Sequence, residues 1–168
     1  NRATVLSGIV SFVRRVIMRA EELGKDFSSV RMCFVLGEAC PKGMREDMRT
    51  RLKNIGAKDP FICSGLGFTE MQGTTLECSE GGGMHLSAPD LHFLEIVDEE
   101  TGKRLPDGEK GLLTITHVDR RGTCFLRYVV GDITTLSHET CPHCGRNDVR
   151  VVMQPIRTME LIKVKGTL

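Results

Sequence analysis

The sequence has no tryptophan, a single tyrosine and no long apolar run. Its longest apolar stretches, such as Met32–Leu36, are far too short to span a bilayer, and no basic segment followed by an apolar one resembles a secretion signal. Positive and negative side chains nearly balance at a net charge of +1, so no charge excess favours nucleic acid or a membrane surface as a partner. These absences predict an ordinary cytoplasmic globular protein.

The chain has seven cysteines, but their pattern does not indicate disulfide bonds. Their number is odd and they are scattered through a chain long enough to bury a core, unlike the cysteines of small secreted domains. Metal ligation and buried free thiols are the better explanations. Cys33, Cys63 and Cys124 lie in apolar, strand-like runs and are predicted to pack in the core, whereas Cys40 stands at a loop before a helix.

The hydrophobic pattern changes along the chain. Apolar residues recur at spacings of three and four over residues 4–23 and again over residues 41–55, which predicts two amphipathic helices. Short apolar runs at residues 32–36 and 61–63 predict buried strands between and after them, as in an α/β layer. Alternating segments then predict a mainly antiparallel sheet, at residues 91–97, 112–118, 123–129, 149–153 and 161–164.

The segment CPHCGR carries the most specific local signal. Gly145 follows Cys144 where haem attachment would require histidine, and a β run rather than a helix comes next, so neither haem nor a redox CxxC fits. A zinc knuckle remains, and structural zinc requires four nitrogen or sulfur ligands. Cys78 and His85 bracket the glycine-rich SEGGGM and are the best remote pair for Cys141 and Cys144. Such a site leaves no open position for catalysis.

These residues also have other interpretations. Cys78 could be a small buried apolar residue, and His85 a hydrogen-bonded loop residue. His138 and His143 are competing nitrogen donors, although a histidine inside a CxxC turn usually points away from the metal.

Two polar motifs are weak alone. SGLGFTEMQG follows a predicted strand, and its glycines suit close backbone approach to a ligand. Thr69 and Glu70 offer a hydroxyl and a carboxylate that can contact a phosphate and its Mg²⁺. In FLRYVVGDITTL, Asp132 ends a strand, where a carboxylate can accept both hydroxyls of a ribose.

The motifs gain force from their order. LGEACPKGMR, GFTE, ECSEGGGMH, EIVDEETGKRLPDGEKGLLTITH, RYVVGDI, CPHCGR and IRTMELIKVKG follow one another from about residue 30 onward. This series resembles the adenylate-forming ligases, and most closely their phenylacetate-CoA ligase branch. The resemblance implies part of an N-terminal AMP-binding domain, with an α/β portion over residues 1–75 and a β-rich, barrel-like portion with a zinc knuckle over residues 76–168.

The resemblance also implies an activity. In this family a carboxylate attacks the α-phosphate of ATP to give an acyl-adenylate and pyrophosphate, and a thiol, usually that of CoA, then displaces AMP. The implied small-molecule partners are a carboxylic acid, ATP with Mg²⁺, and CoA, with a homodimer as one candidate assembly. The branch's CxxC and EC…GxH segments coincide with the four zinc ligands named above.

Residue roles follow from the same resemblance. Gly37, Glu38 and Ala39 resemble the loop that lines the adenine pocket. Thr69 resembles the hydroxyl at the α-phosphate and Glu70 the Mg²⁺ carboxylate. The ribose is implied to lie against Asp132, supported by Arg157. Leu66, before Gly67, stands where the family usually has an aromatic residue on adenine, and an aliphatic side chain packs there less favourably.

The hinge of the family pattern differs in this sequence, and two of the family's motifs are not found in it. The hinge position, usually Asp or Lys, falls on Met159 beside Glu160, and KVKG keeps Lys165 and Gly166. The phosphate-binding loop and the C-terminal lid with its catalytic lysine have no counterpart here. The resemblance therefore implies the central part of a ligase, with little or no turnover by itself.

Two alternatives accompany this interpretation. An adenylyltransferase of the deazaflavin-coenzyme synthetase type would keep the nucleotide chemistry and change the acceptor. A non-catalytic, zinc-stabilised binding module would keep the fold and have lost the chemistry, as Leu66 and Met159 make conceivable.

Overall fold

The computed structural model describes residues 2–157, and the predictions for Met159, Glu160, Lys165, Gly166 and residues 161–164 lie outside them. Within this range the chain forms two helices, α1 (Val10–Glu22) and α2 (Lys42–Asn54). Its strands are, in order, β1 (Val5–Ile9), β2 (Met32–Leu36), β3 (Phe61–Leu66), β4 (Thr75–Glu77), β5 (Met84–Leu86), β6 (His92–Val97), β7 (Gly111–His117), β8 (Tyr128–Thr134), β9 (Leu136–Ser137), β10 (Arg150–Val151) and β11 (Ile156–Arg157).

A seven-stranded sheet runs through most of the molecule in the order β1-β2-β3-β4-β5-β10-β9. Its first three strands are parallel and are joined through α1 and α2, and the pairs that follow are antiparallel. A second, antiparallel sheet has the order β11-β8-β7-β6. The predicted change from an α/β layer to antiparallel strands is therefore confirmed.

Two hydrophobic cores accompany this change. One packs α1 and α2 against β2 and β3 and contains fully buried Ile17, Met48, Leu52 and Ile62. The other fills the space between the two sheets and contains Met71, Leu86, Leu113 and Ile115. The division of the chain at residue 75 stays a prediction, since the seven-stranded sheet includes strands from both sides of it.

The first predicted helix starts too early in the sequence. Residues 5–9 form β1, which pairs in parallel with β2, and the helix begins only at Val10. Ser7 and Gly8 have poor helix propensity, and pairing with β2 satisfies the backbone of this segment. Not every apolar residue of the predicted helix is buried: Val10, Val13, Ile17 and Ala20 face the core, while Phe12 and Leu23 are exposed.

Two other predictions were wrong in detail. The strand predicted at residues 123–129 begins only at Tyr128, since Arg127 has a φ of 48° that breaks extended structure. Cys124 consequently lies in an exposed loop rather than in the core. Cys33 and Cys63 are buried as predicted. Cys40 is buried as well, and burial raises the pKa of its thiol, which disfavours a reactive thiolate.

None of the helices in residues 2–157 is long and apolar enough to cross a membrane.

Candidate nucleotide cleft and metal centre

A cleft of about 620 Å³ opens where β2 and β3 end. The carboxyl edge of parallel strands is where α/β sheets usually bind ligands, because the loops that leave the strands surround one space. Its walls include all nine residues predicted to contact the nucleotide or its cation. These residues are Gly37, Glu38, Ala39, Leu66, Gly67, Thr69, Glu70, Asp132 and Arg157. Gly65, Phe68, Gln154 and Pro155 complete the lining.

Gly65 has a structural reason to be glycine. A Cβ atom built there would lie 2.6 Å from the carbonyl oxygen of Thr75 and 2.9 Å from a ring carbon of Phe34. Only glycine therefore allows β3 to approach β4 at the start of the loop that lines the cleft. The glycine-rich loop was predicted to approach a ligand closely, and part of its composition is explained by packing within the protein.

Glu38 has a role in the protein that the sequence did not indicate. Its carboxylate accepts hydrogen bonds from the backbone N–H and the hydroxyl of Ser11, at 3.0 and 3.1 Å. Ser11 lies in the first turn of α1, where backbone N–H groups lack helical partners and a negative charge is favourable. The side chain of Glu38 thus caps α1 and holds the adjoining cleft loop against that helix.

Thr69 and Glu70 lie in a turn that is fixed from both sides. Phe68 and Thr69 accept turn hydrogen bonds from the N–H groups of Met71 and Gln72, and Gln72 has a φ of 48°. The carbonyl oxygen of Met71 also faces His92 Nε2 at 2.8 Å and accepts a bond from Arg120 Nη2 at 3.1 Å.

Glu70 extends from this turn into the wall of the cleft. Its carboxylate accepts a hydrogen bond of 2.9 Å from the hydroxyl of Tyr128. Its own backbone N–H and then the Tyr128 hydroxyl lower the pKa of Glu70, which keeps the carboxylate ionised. An ionised carboxylate beside the Thr69 hydroxyl is an all-oxygen donor set that fits Mg²⁺.

Asp132 is buried and also lines the cleft; it lies within β8 rather than at the end of a strand as predicted, because β8 continues to Thr134. Arg157 is its register partner on β11 and donates to one carboxylate oxygen at 3.1 Å and to the carbonyl oxygen of Val130 at 3.3 Å. A buried carboxylate held by an arginine is a suitable acceptor for sugar hydroxyls. The predicted pair of Asp132 and Arg157 is thus in direct contact.

Tyr128 was missed as a site residue, although RYVVGDI contains it. Side chains alternate along a strand, so Tyr128, Val130 and Asp132 share one face of β8. That period-two relation to Asp132 could have indicated it. No sequence pattern indicates Gln154 as a site residue. It reaches the cleft because the chain between β10 and β11 passes beside the cleft.

The four predicted metal ligands also come together. One ligand atom from each of Cys78, His85, Cys141 and Cys144 lies within 4.8 Å of all the others. The sulfur atoms of Cys78 and Cys141 are 3.7 Å apart, and Cys144 Sγ lies 3.5 Å from His85 Nε2. Bonds to zinc of about 2.3 Å for sulfur and 2.0–2.1 Å for nitrogen place tetrahedral ligand atoms about 3.6–3.8 Å apart. The donor set and these two distances therefore fit zinc.

The local backbone explains how these ligands converge. Cys78 directly follows β4 and His85 lies on β5, so the β4–β5 hairpin carries both, with Gly81 and Gly83 at positive φ in its turn. Arg150 on β10 pairs with His85 and places the preceding CxxC segment beside the hairpin. In that segment the Cys141 carbonyl accepts from the N–H of Gly145, and the Cys141 N–H donates to the carbonyl of Arg146.

The two hydrogen-bonded thiols differ in acidity. Burial opposes ionisation of Cys141, but hydrogen bonds from the backbone of His143 and Cys144 and from His85 and Cys78 lower its pKa to about 5. Burial and the neighbouring thiols Cys144 and Cys141 raise the pKa of Cys78 to about 11. A bound divalent cation would stabilise the thiolate forms of the cysteine ligands.

A carboxylate lies behind the histidine of this cluster. His85 is 2% exposed, and its Nδ1 lies 3.4 Å from Asp148 Oδ1, which Arg146 contacts in turn at 2.7 Å. A carboxylate behind a metal-bound histidine is the usual partner that orients the ring. The competing donor His138 contacts Asp107 instead, and neither it nor His143 belongs to the cluster found in residues 2–157.

A buried ion pair bonds segments that belong to both candidate sites. Arg45 on α2 forms two hydrogen bonds to Glu77, at 2.7 and 2.9 Å. The same guanidinium donates to the carbonyl oxygens of Cys40 and Ile62, while Glu77 accepts from the N–H of Ser64. Glu77 immediately precedes Cys78, so this pair connects the β4–β5 hairpin to both segments that lead into the cleft.

Comparison with known proteins identifies the family. The sequence model of the AMP-binding enzyme family matches residues 1–118. The chain therefore belongs to the AMP-binding enzyme family.

Relatives of this AMP-binding chain are named as ligases. A phenylacetate-coenzyme A ligase of Thermus thermophilus is 41% identical over 133 residues, which cover 77% of the chain and 27% of that protein. One from Aromatoleum evansii is 27% identical over 158 residues, covering 93% of the chain and 34% of that protein. The resemblance to the phenylacetate-CoA ligase branch is thus confirmed, and the chain spans about a quarter to a third of these relatives.

A solved structure shows the same fold. 2-Hydroxyisobutyryl-CoA ligase in its thioesterification state superposes with a TM-score of 0.76 at 21% identity, over 92% of the chain and 32% of that protein. The mixed α/β architecture is therefore that of the adenylate-forming ligases.

Proposed function

We propose that this chain is the central part of an ATP-dependent, AMP-forming ligase that activates a carboxylic acid as its acyl-adenylate and transfers the acyl group to CoA. One observation carries the proposal: in a member of the AMP-binding family, Thr69, Glu70, Asp132 and Arg157 line a single cleft. The names of the two relatives support the ligase reaction. The superposed ligase was solved with 2-HIB-AMP and CoA, which supports the same two ligand classes here.

In this proposal the cleft works by position and charge. A carboxylate resists nucleophiles because it is anionic, whereas its mixed anhydride with AMP has a good leaving group. The Asp132 and Arg157 pair holds the ribose, and Gly37, Glu38, Ala39, Leu66 and Gly67 surround the adenine. Thr69 contacts the α-phosphate, and Glu70 is the residue that would hold Mg²⁺, whose charge neutralises the phosphates when it is bound.

The cysteine and histidine cluster has a structural role in the same proposal. Cys78, His85, Cys141 and Cys144 supply four ligands, which leaves no position for water or substrate on a tetrahedral zinc ion. The ion would join the β4–β5 hairpin to the segment before β10. Seven unpaired thiols in the described residues fit a reducing compartment, and we place the protein in the cytoplasm.

The full-length protein that contains this chain tests the proposal. It should release pyrophosphate when given ATP, Mg²⁺ and at least one acid from a panel of aryl and alkyl carboxylic acids, and mass analysis with CoA present should find the thioester. Glu70→Gln should lose most of this release, whereas Cys124→Ser, an exposed loop thiol outside both sites, should keep it. No pyrophosphate and no acyl-adenylate with any acid would refute the ligase assignment, and a stable adenylated acceptor would indicate an adenylyltransferase instead.

A further inference from the structure

Tyr128 is the chain's single tyrosine, and its hydroxyl has a specific partner. It donates to Oε1 of Glu70 at 2.9 Å, across 58 positions of sequence and from the second sheet to the turn after β3. Glu70 lines the cleft, while Tyr128 lies behind it on the strand that also carries Asp132. A carboxylate that accepts a hydroxyl bond on one oxygen has a preferred orientation, which a freely rotating glutamate lacks.

The ring of Tyr128 is held by a row of other rings. Its centroid is 4.8 Å from that of Phe125, Phe125 lies 5.4 Å from His117, and His117 lies 5.5 Å from His92. Each contact has a tilted or edge-to-face geometry, which is the favourable arrangement for aromatic rings. His92 ends the row with its Nε2 2.8 Å from the carbonyl oxygen of Met71.

The row therefore begins and ends at neighbouring residues of one turn, since Glu70 and Met71 are adjacent. One end bonds the carboxylate and the other bonds the backbone immediately after it. A packing role alone would not require the hydroxyl, because phenylalanine would make the same ring contacts. The polar end of the only tyrosine meets the one carboxylate assigned to the cation.

We propose that Tyr128 is a positioning residue for Glu70, holding one carboxylate oxygen so that the other is presented to the divalent cation of the bound nucleotide. This inference rests on the proposed function. Tyr128 itself touches neither nucleotide nor cation in this account. Its removal should therefore weaken only that part of ATP binding which depends on Mg²⁺.

Calorimetric titration of ATP into the full-length protein, with Mg²⁺ and with chelator, separates the two contributions. Wild-type protein should bind ATP more tightly with Mg²⁺ than without it, and Glu70→Gln should lose this enhancement. Tyr128→Phe should reduce the enhancement roughly tenfold, the scale of one hydrogen bond to a charged group. The affinity measured in chelator should stay within about twofold of wild type, because no direct contact is removed. Phe93→Leu is the matched control, an exposed ring on the outer side of the same sheet.

A double variant distinguishes positioning from general packing. Tyr128→Phe should have no further effect in a Glu70→Gln background if the hydroxyl acts through that carboxylate. Two results would overturn the inference while leaving the ligase proposal intact. One is that Tyr128→Phe keeps the full Mg²⁺ enhancement of ATP affinity, and the other is that it loses as much ATP affinity in chelator as with Mg²⁺. If wild-type protein bound no ATP in either condition, the proposed function would fail first. Should Tyr128→Phe not fold, Phe125→Leu keeps the hydroxyl and loosens the ring, and a smaller shift in the same direction is expected; no shift would contradict the inference.

Discussion

The candidate nucleotide cleft and the cysteine–histidine cluster are connected through the Arg45–Glu77 pair, and they are built in opposite ways. The cleft takes its residues from widely separated segments, leaves Thr69 exposed and keeps a volume of about 620 Å³ open. The cluster takes four ligands from one hairpin and one CxxC turn and brings their atoms within 4.8 Å of each other. Under the proposed function, the open cleft would admit and release a ligand, whereas the close-packed cluster would hold a metal ion. Reactivity is expected in the first and stability from the second.

The largest effect should come from breaking the metal cluster. Cys141→Ser removes a buried ligand, and metal loss should lower the free energy of unfolding by more than about 5 kcal/mol, because binding and folding are coupled. Metal analysis of protein prepared without chelator should find about one zinc per chain in wild type and much less in the variant. Cys124→Ser should retain the metal. Full metal content in both Cys78→Ser and His85→Ala would show that the ligands were chosen wrongly.

The next largest effect should come from the connection between the two regions. Glu77→Gln leaves the Arg45 guanidinium buried without its counter-charge, which should cost about 3 kcal/mol in a denaturant titration. Glu46→Gln is the matched control. Glu46 and Lys42 form an exposed ion pair with 3.8 Å between their charged groups, and such pairs contribute less than about 1 kcal/mol. Equal effects of the two variants would mean that the buried pair does not join the regions energetically.

A smaller effect, on AMP affinity, should come from changing the residue predicted to contact the adenine. Leu66→Tyr places an aromatic ring where the family usually has one, and base stacking of about 0.5–1.5 kcal/mol should strengthen AMP binding roughly twofold to tenfold. Metal content should not change, since Leu66 lies outside the cluster. Weaker AMP binding with normal stability would place the adenine elsewhere in the cleft.

The smallest effect concerns the helices that support the cleft. Burial opposes ionisation of Asp47, but hydrogen bonds from Arg14 and Arg51 prevail and lower its pKa. A carboxyl group whose pKa is lower in the folded state stabilises the fold above its unfolded pKa, and this stabilisation is lost as the pH falls through the folded pKa. Asp47→Asn should therefore destabilise by less than about 1 kcal/mol at neutral pH, since the pair is partly exposed. Denaturation at a series of pH values should show that the difference in free energy of unfolding between Asp47→Asn and wild type disappears in acid. The control Asp59→Asn changes an exposed carboxylate and should match wild type at every pH.

The contrast between the two regions also explains what the sequence could predict. The metal ligands are few, chemically distinctive and constrained by the requirement for four donors, so Cys78 and His85 could be paired with the CxxC from residue type alone. The cleft residues are common amino acids in separate segments, and only the ordered resemblance connected Thr69 with Asp132. The alternation along β8 could have indicated Tyr128, but its contact with Glu70, the place of Gln154 and the capping role of Glu38 depend on tertiary contacts that no local pattern records. The predicted start of α1 was wrong for the same reason. The helical spacing of apolar residues continues into residues 5–9, but pairing with β2 makes this segment a strand.

AMP binding to the full-length protein is the decisive measurement for a nucleotide site at this cleft. Calorimetry should give saturable binding to wild type and a loss of roughly tenfold to hundredfold in Asp132→Ala, the scale of hydrogen bonds to a charged group. Asp107→Ala, whose carboxylate contacts His138 outside the cleft, should bind like wild type. Saturable binding that is equally strong in Asp132→Ala, or none in wild type, would contradict a nucleotide site at this cleft.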